Sequence, residues 1–513
     1  MKGTEKELLD QIKLRFDGLL SEASAFGLSD CSLSKAEGGL LKSLLTLGLA
    51  LLSYVIFIRN TRVVPQKVRA AKAIVGVGKI HSGGSSERRY LSIFGELRIN
   101  RTRYKQAEVG NVYPLDVSLD LPLSLWSYLL QGWVGNQSSS INYKESVGLL
   151  NKLFDLGLSG NDAKNNCGQL SQHVEAYYET NTEQEELDMP GIHAIGFDGK
   201  GVPIILEEMP KDERPRLGTG EKRGRKKMAT VSVNATFTSN IRSKEEVISG
   251  LFRKMNTSDT TAPLVKKSAP SMSVVDKIEQ PSSCGNNQQK KGYDNIHRRA
   301  FLGCQDRAID YSIQRLKEQY HINPIPIVAL MDGGMGLEES ILKHLEKYGL
   351  KDALEATIID IIHVEEYVWK AVNIILGSQS SLRLKWVEDV LGDLLDSQTD
   401  KVIDYLKVNL NKTRLSENKK ESISKIINYF QNHKHKMDYA SYLSKGFPIS
   451  TAIVESTCKH LVKDRMEGSG MRWDMTGAQN MLDMRAVNIN QNWDDFMSFI
   501  QSSNNNNRCN FAA

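Results

Sequence analysis

GIHAIGFDGKGVPIIL, residues 191–206, is the stretch that decides the fold. It is apolar and rich in β-branched residues, which predicts a buried strand. Asp198 interrupts the run between Gly196 and Gly199, although a charge inside a core strand is costly. One interpretation is a hairpin whose Asp-Gly pair forms a type I′ turn. The other is a strand that delivers a carboxylate to a functional site.

The same pattern returns twice further along the chain. PIPIVALMDGGMGLEE, residues 324–339, is an apolar run that ends in Asp332 before a helix-forming segment. ATIIDIIHVEEYVWKA, residues 356–371, is a third apolar strand and carries Asp360 and His363. Three predicted strands therefore end near acids, which favours the functional interpretation.

Composition sets the outer limits. The chain has 513 residues, enough for several structural units, and its net charge of +5 comes from 66 basic and 61 acidic residues. This small net charge does not by itself indicate a nucleic-acid partner. Evidence for such a partner has to come from how the charges are distributed along the chain. The six cysteines form no C-x-x-C pair, so the sequence indicates neither a zinc ribbon nor a disulfide framework, and it favours a reducing compartment.

The N-terminal residues predict helices. The first residues, MKGTEKELLDQ, carry acids where a signal peptide would be apolar, and predict an exposed helix. The run at 43–58 has sixteen uncharged residues, fewer than the roughly 20 that span a bilayer. A buried helix is therefore favoured over a membrane segment, and the leucine spacing suits packing on two sides or an oligomer interface.

Residues 87–105 alternate apolar and polar positions on either side of a Phe-Gly-Glu centre, which predicts a hairpin with one half-buried face. Its other face is basic and is interpreted either as a phosphate-binding surface or as a solvated face. From Leu121 to Thr180 the pattern is helical and fits a helix-turn-helix-like unit or a generic helical bundle.

A second basic region follows the central strand. Seven Lys and Arg residues crowd 214–227, and the alternating strand MATVSVNATFTS comes next. The charge run is either a targeting-like segment or a loop that neutralises a DNA backbone. Residues 254–292 have the composition of a disordered or inserted loop, and 297–320 predict one helix.

The order of these segments predicts an α/β fold. Mixed strands followed by alternating strands and helices, with acids at strand ends and Glu455 on a late helix, is the layout of a ribonuclease-H-like catalytic core. Carboxylates gathered from separate strand ends repel one another unless cations lie between them, and Mg²⁺ accepts oxygen ligands alone. The predicted ranges are 1–84 (helices and linker), 85–188 (β-hairpin and helical DNA-binding region), 189–380 (catalytic core with inserted loop 254–292), 381–446 (helical insertion) and 447–513 (end of the core and helical tail).

Several segments also resemble a known family. The strand at 191–206, GEKRGRKKMATV at 220–231, ALMDGGMGLEESIL at 329–342, DIIHVEEYVWKAV at 360–372 and GFPISTAIVESTCKHLVKDRMEGSGMRW at 446–473 are similar to motifs of the DDE transposases of bacterial insertion sequences, in particular the ISKra group. The resemblance covers about 85–500 and is strongest from 320 onward. The sequence departs from the family pattern at Ser450, Thr451 and Ala452, where glycines are expected before the last acid.

The resemblance implies a set of site residues. Asp198, Asp332 and Glu455 match the three acids that act in catalysis and hold two Mg²⁺ ions, for which Mn²⁺ can substitute. Asp360 and His363 match a D-x-x-H element of Mutator-like transposases, with Glu366 among the residues after it. We assign these three to shaping the site, because Mg²⁺ prefers oxygen ligands and a lone histidine after a strand is usually structural.

DNA contacts are expected from basic residues and one aromatic residue near the acids. Glu455, Lys459 and Lys463 have helical i, i+4, i+8 spacing, although a plain Glu-Lys helix pair has the same spacing. Trp473 is a stacking candidate, while large aromatics are more often core. The expected DNA-binding residues are Lys222, Arg223, Arg225, Lys226, Lys459, Lys463, Arg465, Arg472 and Trp473.

The resemblance implies a transposase that binds transposon ends and catalyses metal-dependent DNA strand cleavage and transfer. The expected partners are double-stranded DNA, both terminal repeats and target, and further copies of the chain, with no membrane, in a cytoplasmic, nucleoid-associated location. One alternative is a catalytically decayed or domesticated transposase that acts as a DNA-binding regulator. A glycosidase with two strand-end carboxylates is another, but it leaves the basic loop unexplained.

Overall fold

The structure is a computed structural model, and it contains two compact units. It describes residues 4–73, 81–106, 110–181, 191–205, 225–256, 293–334, 336–377, 379–412, 415–468 and 470–506. The first unit draws on Met1–Asn181, Pro203–Arg225 and Asp464–Ala513, and the second on Thr182–Val202 and Lys226–Lys463. These two units do not divide the chain as finely as the five predicted ranges, so the boundaries of those ranges remain predictions.

The first unit begins with a helical hairpin of α1 (Glu5–Gly27) and α2 (Leu33–Ile58). A π-helical turn, Arg59–Val63, leads from α2 into α3 (Val64–Ala73). The prediction of a buried helix at 43–58 is wrong, because only 11 % of the most apolar window is buried. The neighbouring elements cover parts of α2 and leave the rest of the helix exposed. By length and composition alone, the helical stretch Leu33–Val68 is long and apolar enough to cross a membrane.

The predicted hairpin is confirmed. Strands β1 (His81–Ser92) and β2 (Gly95–Gln106) pair antiparallel, and β3 (Gly110–Val112) pairs with the other edge of β2. Leu97 and Ile99 of β2 are buried in an apolar cluster that also contains Ile56 of α2, so the predicted half-buried face is the face that packs. A short helix, α4 (Pro114–Ser118), follows the sheet.

Four helices follow in the first unit: α5 (Tyr128–Ser140), α6 (Tyr143–Phe154), α7 (Gly160–Ser171) and α8 (Val174–Thr180). Ser127, Asn142 and Ser159 each accept a hydrogen bond from a backbone amide of the first turn, and these N-caps explain where three of the helices begin. The helical character is confirmed, and the helix-turn-helix-like arrangement stays a prediction.

The segment that decides the fold is a single strand, β4 (Gly191–Ile204), without a turn at Asp198. The hairpin interpretation is therefore wrong, and so is the placement of Asp198 at a strand end. The glycines after Asp198 instead allow side chains of strand β5 to lie close to the backbone of β4. A Cβ at Gly199 would lie 2.9 Å from Met228 Sδ, and one at Gly201 would lie 2.8 Å from Lys226 Cβ.

The second unit is built on a five-stranded mixed sheet. Its further elements are β5 (Arg225–Thr238), α9 (Lys244–Asn256), β6 (Tyr293–Leu302), α10 (Gln305–Ile322), β7 (Ile327–Met331), α11 (Leu337–Tyr348), β8 (Leu354–Ile359) and α12 (Ile361–Ile375). The strand order is β6-β5-β4-β7-β8, with β7 parallel to both β4 and β8 and β6 antiparallel to β5. Parallel neighbours need helical crossovers, which α10 and α11 supply. The fold is thus mixed α/β, as predicted.

Strand β6 was not expected. The sequence predicts one helix over 297–320, but residues up to Leu302 pair with β5 from Ala229 to Phe237. Gly303 has φ +73°, which ends the strand, and the helix starts at Gln305. Pairing along a whole neighbouring strand overrides the local helical pattern, since strand formation depends strongly on tertiary context.

The remaining described elements are helical, as predicted for the insertion at 381–446. The helices are α13 (Arg383–Leu395), α14 (Thr399–Lys412), α15 (Glu417–His433), α16 (Tyr439–Ser444), α17 (Ala452–Thr457), α18 (Asp464–Met466), α19 (Met475–Ile489) and α20 (Trp493–Asn506). A π-helical stretch, Cys458–Lys463, continues directly from α17. The buried faces of β4, β7 and β8 form one continuous core with α10 to α16.

Candidate metal centre

Three acids, Asp198, Asp332 and Asp360, lie at matching positions just after paired residues of neighbouring strands in the five-stranded sheet. Gly196 of β4 pairs with Leu330 of β7, and each lies two residues before an acid, Asp198 or Asp332. Met331 pairs with Ile359 of β8, and the Asp360 amide donates to the Met331 carbonyl at 2.9 Å. Because β4, β7 and β8 are parallel, this register brings all three acids to one edge of the sheet.

Asp360 is fixed more firmly than any other acid at this edge. Its side chain is buried and caps α12, with Oδ1 accepting from the Ile362 amide at 2.9 Å. Its Oδ2 accepts from the Thr451 hydroxyl at 2.5 Å. Thr451 stands where the transposase pattern has glycine, so this departure supplies a hydrogen bond that positions the carboxylate.

Glu455 reaches the same edge from α17. A Cβ at Gly196 would lie 2.5 Å from Val454 Cγ2, so the glycine in β4 is what lets α17 pack this close to the strand. Glu455 Oε1 lies 3.6 Å from Nε2 of His363, which is in the first turn of α12. The structure thus brings an acid and a histidine together that are 92 residues apart in the sequence.

Asp360, His363 and Glu455 form a group able to hold a metal ion. Within the described residues, each of these three offers a ligand atom, and these atoms lie within 4.8 Å of one another. The sequence assigned Asp360 and His363 to shaping the site and placed the ions on Asp198, Asp332 and Glu455. The described geometry favours Asp360 and His363 as direct ligands beside Glu455, and the role predicted for Asp198 and Asp332 stays a prediction.

The electrostatics of this edge show an excess of negative charge. Burial raises the pKa of the Glu455 carboxyl, and the carboxylates of Asp360, Asp198 and Glu366 raise it further, while His363 lowers it. Glu366 itself is exposed and pairs with Lys370 at 3.7 Å one helical turn later. A cation placed among these carboxylates would relieve the repulsion that raises the pKa of Glu455.

Asp198 has a neighbour that the sequence did not reveal. Burial raises the pKa of the Cys458 thiol far above its ordinary value, and the charge of Asp198 and a hydrogen bond to it act in the same direction. Cys458 follows Glu455 by three residues, so helical spacing alone could have placed it near the site. A thiol held in its protonated form donates to Asp198 and is a poor metal ligand.

Asp332 is bordered by the helical insertion. Its Oδ1 accepts from the Gly334 amide at 2.9 Å, and Gly333 adopts φ +93°. A Cβ at Gly333 would lie 3.2 Å from both Tyr429 and His433 of α15, so only glycine fits there without displacing them. Burial raises the pKa of Tyr429, and Tyr367 and Asp332 raise it further. The sequence gave no signal for Tyr429, which lies in a charged helical stretch.

The aromatic residues after Asp360 are packed within the unit. Tyr367 stacks on Tyr429, with ring centroids 3.8 Å apart and planes 17° apart. The indole N–H of Trp369 donates to Glu365 at 3.2 Å. Packing within the unit therefore explains both aromatic residues.

The predicted DNA-binding residues fall into three groups. Lys459, Lys463 and Arg472 are exposed, as is Lys226. Lys222 and Arg223 lie outside the described residues, and of Arg225 only the backbone, at the start of β5, is described. The π-helical stretch changes the spacing after Glu455, so the simple i, i+4, i+8 face does not continue unchanged.

Arg465 and Trp473 are buried in the first unit, which contradicts their predicted contact with DNA. The Arg465 Nε donates to the Ser138 carbonyl at 2.9 Å, and the Trp473 indole donates to the Met466 carbonyl at 3.1 Å. The guanidinium carbon lies 5.0 Å from the Trp473 ring centroid. A cation over an aromatic face is stabilised there, so both residues are explained by packing.

The basic residues of the β1–β2 hairpin do not share one face, since Arg88 is opposite buried Ile99 while Arg89 is opposite Arg98, and most of them are paired with acids. Arg88 and Arg101 both reach the buried Asp116, while Arg89 pairs with Glu96 on the surface. Arg98 likewise lies near Glu87, at 3.4 Å. These ion pairs neutralise most of the positive charge on which the phosphate-binding interpretation of the hairpin depends.

Comparison with known proteins identifies no family. No protein-family model matches the chain, and no curated protein matches it. The functional argument therefore depends on the residues of the site.

Proposed function

We propose that this chain is a metal-dependent DNA strand transferase of the DDE transposase type, built on a ribonuclease-H-like core. The observation that carries the proposal is the convergence of Asp360, His363 and Glu455 at the sheet edge where Asp198 and Asp332 also emerge. The order of elements in the second unit, three strands of mixed direction and then alternating helices and strands, supports the same proposal.

The donor set fits a divalent cation. Two carboxylates and one imidazole with ligand atoms within 4.8 Å, beside further carboxylates, favour Mg²⁺ or Mn²⁺ over a softer metal, because oxygen donors predominate. When bound, such ions supply an activated water or 3′-hydroxyl and neutralise the leaving oxygen of a phosphodiester.

The residues of the chain have distinct tasks in this proposal. Asp360 is held by Thr451 and the Ile362 amide and so presents a fixed carboxylate. His363 offers a ring nitrogen, Nε2, 3.6 Å from Glu455 Oε1. Exposed Lys459 and Lys463, on the same helical segment as Glu455, provide positive charge for a DNA backbone.

A cleavage assay tests the proposal. The DNA that flanks the chain's own gene is first inspected for inverted repeats, and a labelled duplex of such an end is the substrate, with gel shift and strand cleavage measured together. We expect Asp198→Asn, Asp332→Asn and Glu455→Gln each to abolish cleavage in Mg²⁺ while binding persists. The matched control is Glu421→Gln, because Glu421 is an exposed acid of α15 that pairs with Lys425 in its own helix.

The metal series sharpens the result. Mg²⁺ and Mn²⁺ should support cleavage, Ca²⁺ should support binding with little or no cleavage, and chelator should abolish cleavage. Cleavage in chelator, or a strict requirement for Zn²⁺, would contradict the proposal. Metal-independent binding without cleavage by the wild-type chain would instead favour the regulator alternative.

A further inference from the structure

Helix α2 carries an apolar stripe that is exposed to solvent. Its members Leu41, Leu44, Leu51 and Val55 are 39 %, 51 %, 45 % and 51 % exposed. Their spacings of three, seven and four residues place them along one side of the helix. Apolar side chains that are grouped in this way, rather than scattered singly, mark a site of interaction with a partner.

The Phe94 ring fills the centre of this stripe. Position 48, which lies on the same side of α2 between Leu44 and Leu51, is a glycine. A Cβ at Gly48 would come within 2.6 Å of the Phe94 ring, so the ring packs directly on the helix backbone. Phe94 is itself only half-buried. The stripe is therefore a continuous, rounded apolar surface, formed by four side chains of α2 and one ring from the turn between β1 and β2.

The other sides of α2 are held within the unit. Towards α1, the Ser43 hydroxyl donates to Glu22 at 2.5 Å, and the Arg15 guanidinium donates to the Thr46 carbonyl at 2.7 Å. Towards the three-stranded sheet, Ile56 packs in the apolar cluster of that sheet. Passage of α2 through a bilayer would carry Arg15 and Glu22 into the hydrocarbon, which is costly for each charge. A partner of the stripe must therefore lie flat along one side of the helix.

The chain becomes basic where the stripe ends. Arg59 follows Val55 by one helical turn and so continues the same side of the helix. The sequence from 59 to 86 contains six Lys or Arg residues and no Asp or Glu. Arg62 of this run pairs with Glu5 of α1. An apolar helix side that is followed directly by a cluster of basic residues is the pattern that binds anionic lipid headgroups.

A bilayer surface fits these features better than a protein or a DNA duplex does. A protein interface needs a partner surface that is complementary in shape, and the Phe94 ring makes this surface rounded. A duplex offers phosphates to the basic residues but nothing that buries an apolar stripe. A bilayer interface takes in apolar side chains to a depth of roughly 5–10 Å without a matching shape, and its anionic headgroups attract the cations.

We propose that α2 docks flat on an anionic membrane surface, with its apolar stripe at the level of the acyl chains and Arg59 among the headgroups. The expectation of no membrane partner concerned a spanning segment, for which the uncharged run of α2 is too short. A helix that lies in the interface does not need that length. The proposal does not depend on the metal site or on DNA, so either proposal can fail while the other stands.

Co-sedimentation of the full chain with sucrose-loaded vesicles tests the docking. We expect binding to vesicles of phosphatidylglycerol and phosphatidylcholine in equal parts, and at least tenfold weaker binding to phosphatidylcholine alone. The double variant Leu44→Gln with Leu51→Gln should bind roughly a hundredfold more weakly, because each leucine contributes about tenfold through the apolar area that it buries. Leu384→Gln is the matched control, because Leu384 is a 54 % exposed leucine on α13, and it should bind as the wild type does.

Charge variants test the orientation of the stripe on the membrane. Arg59→Gln should weaken binding to the anionic vesicles by roughly fivefold, the effect of one basic residue near such a surface. Glu37 is exposed one turn before Leu41, at the other end of the stripe. Glu37→Gln should strengthen binding by roughly twofold, because it removes an acid that faces anionic lipids. Lys459→Ser should change nothing, since Lys459 belongs to the proposed DNA surface.

A fluorescence measurement tests insertion itself. Phe94→Trp places an indole at the centre of the stripe, and vesicles with brominated acyl chains should quench its emission beyond that of the wild type, whose six tryptophans set the baseline. A wild type that binds neither kind of vesicle would overturn the proposal. Binding to anionic vesicles that survives the double leucine variant would overturn it as well, because adsorption would then be electrostatic only. Absence of extra quenching in bound Phe94→Trp would exclude contact of the stripe with the acyl chains.

Discussion

The three-stranded sheet and the five-stranded sheet each take charged side chains out of water, but they compensate these charges differently. In the first unit, Asp116 lies between Arg88 and Arg101, and Arg88 also donates to the Ser124 carbonyl at 2.8 Å. The Arg101 guanidinium carbon lies 3.8 Å from the centroid of the Tyr113 ring. Every charge there has a partner of opposite sign or a polarisable face beside it.

At the edge of the five-stranded sheet, charges of the same sign gather. Asp360 accepts two hydrogen bonds from neutral groups, and the side chain beside Glu455 is the half-buried imidazole of His363. Burial raises the pKa of Glu455, and repulsion from Asp360, Asp198 and Glu366 adds to the increase. The difference teaches that the buried charges of the first unit are compensated by other groups of the chain, whereas the like charges at this edge retain a repulsion that a bound cation would relieve.

The largest effect is expected from breaking the paired cluster. Asp116→Asn removes the only carboxylate between Arg88 and Arg101 and leaves both cations buried, which should cost about 3–5 kcal/mol of stability in the first unit. Urea denaturation followed by tryptophan fluorescence measures this loss. Glu96→Gln, which breaks only the exposed pair with Arg89, should change stability by less than about 1 kcal/mol. Equal losses in the two variants would show that burial of the Asp116 pair is irrelevant.

A smaller effect is expected at the acidic edge. Thr451→Val keeps the shape of the side chain but removes the hydroxyl that donates to buried Asp360, which should cost about 1–3 kcal/mol. Thr451→Ser retains the hydroxyl and is the control. Both the midpoint temperature of thermal denaturation and the affinity for a cation should fall in Thr451→Val, and neither should fall in Thr451→Ser. Unchanged affinity would mean that Thr451 serves packing and does not position Asp360.

The smallest effect is expected from single exposed cations. Lys459→Ser and Lys463→Ser should each lower the slope of log affinity against log salt for duplex DNA by roughly 0.9, because each lysine contacts at most one phosphate. Arg465→Lys changes a buried cation and should alter stability without changing the slope. Slopes that stay constant in both lysine variants would remove this helical segment from the DNA surface.

Much of the second unit could be predicted from local pattern. The apolar run before Asp332 indicated strand β7, and 381–446 indicated helices, because period and composition are local properties. The predicted strand at 356–371 is correct only up to Ile359, the end of β8, because helix α12 begins at Ile361 and carries His363. Strand β6 was missed because its pairing with β5 is not visible within its own residues. The hairpin at Asp198 was a reasonable interpretation of Asp-Gly, but the glycines serve the approach of β5 and α17, which only the tertiary structure reveals.

The candidate site, too, could be predicted only in part from the sequence. The acids at the ends of β7 and β8 and Glu455 could be selected from the sequence, since their types and spacing are local. Their grouping could not, because the 4.8 Å cluster depends on how α17 packs against Gly196. The sequence also does not show which side chains are exposed. Arg465 and Trp473 were predicted to contact DNA, but both are buried.

The central claim, that the assembled carboxylates require a cation, is tested most directly by titrating Mn²⁺ into the metal-free full chain and following free Mn²⁺ by electron paramagnetic resonance. We expect stoichiometric binding that is displaced by Mg²⁺, lost in Glu455→Gln and weakened by at least tenfold in His363→Ala. Glu421→Gln, the exposed control, should bind as the wild type does. Absence of Mn²⁺ binding by the wild type, or binding that Glu455→Gln leaves intact, would contradict the claim.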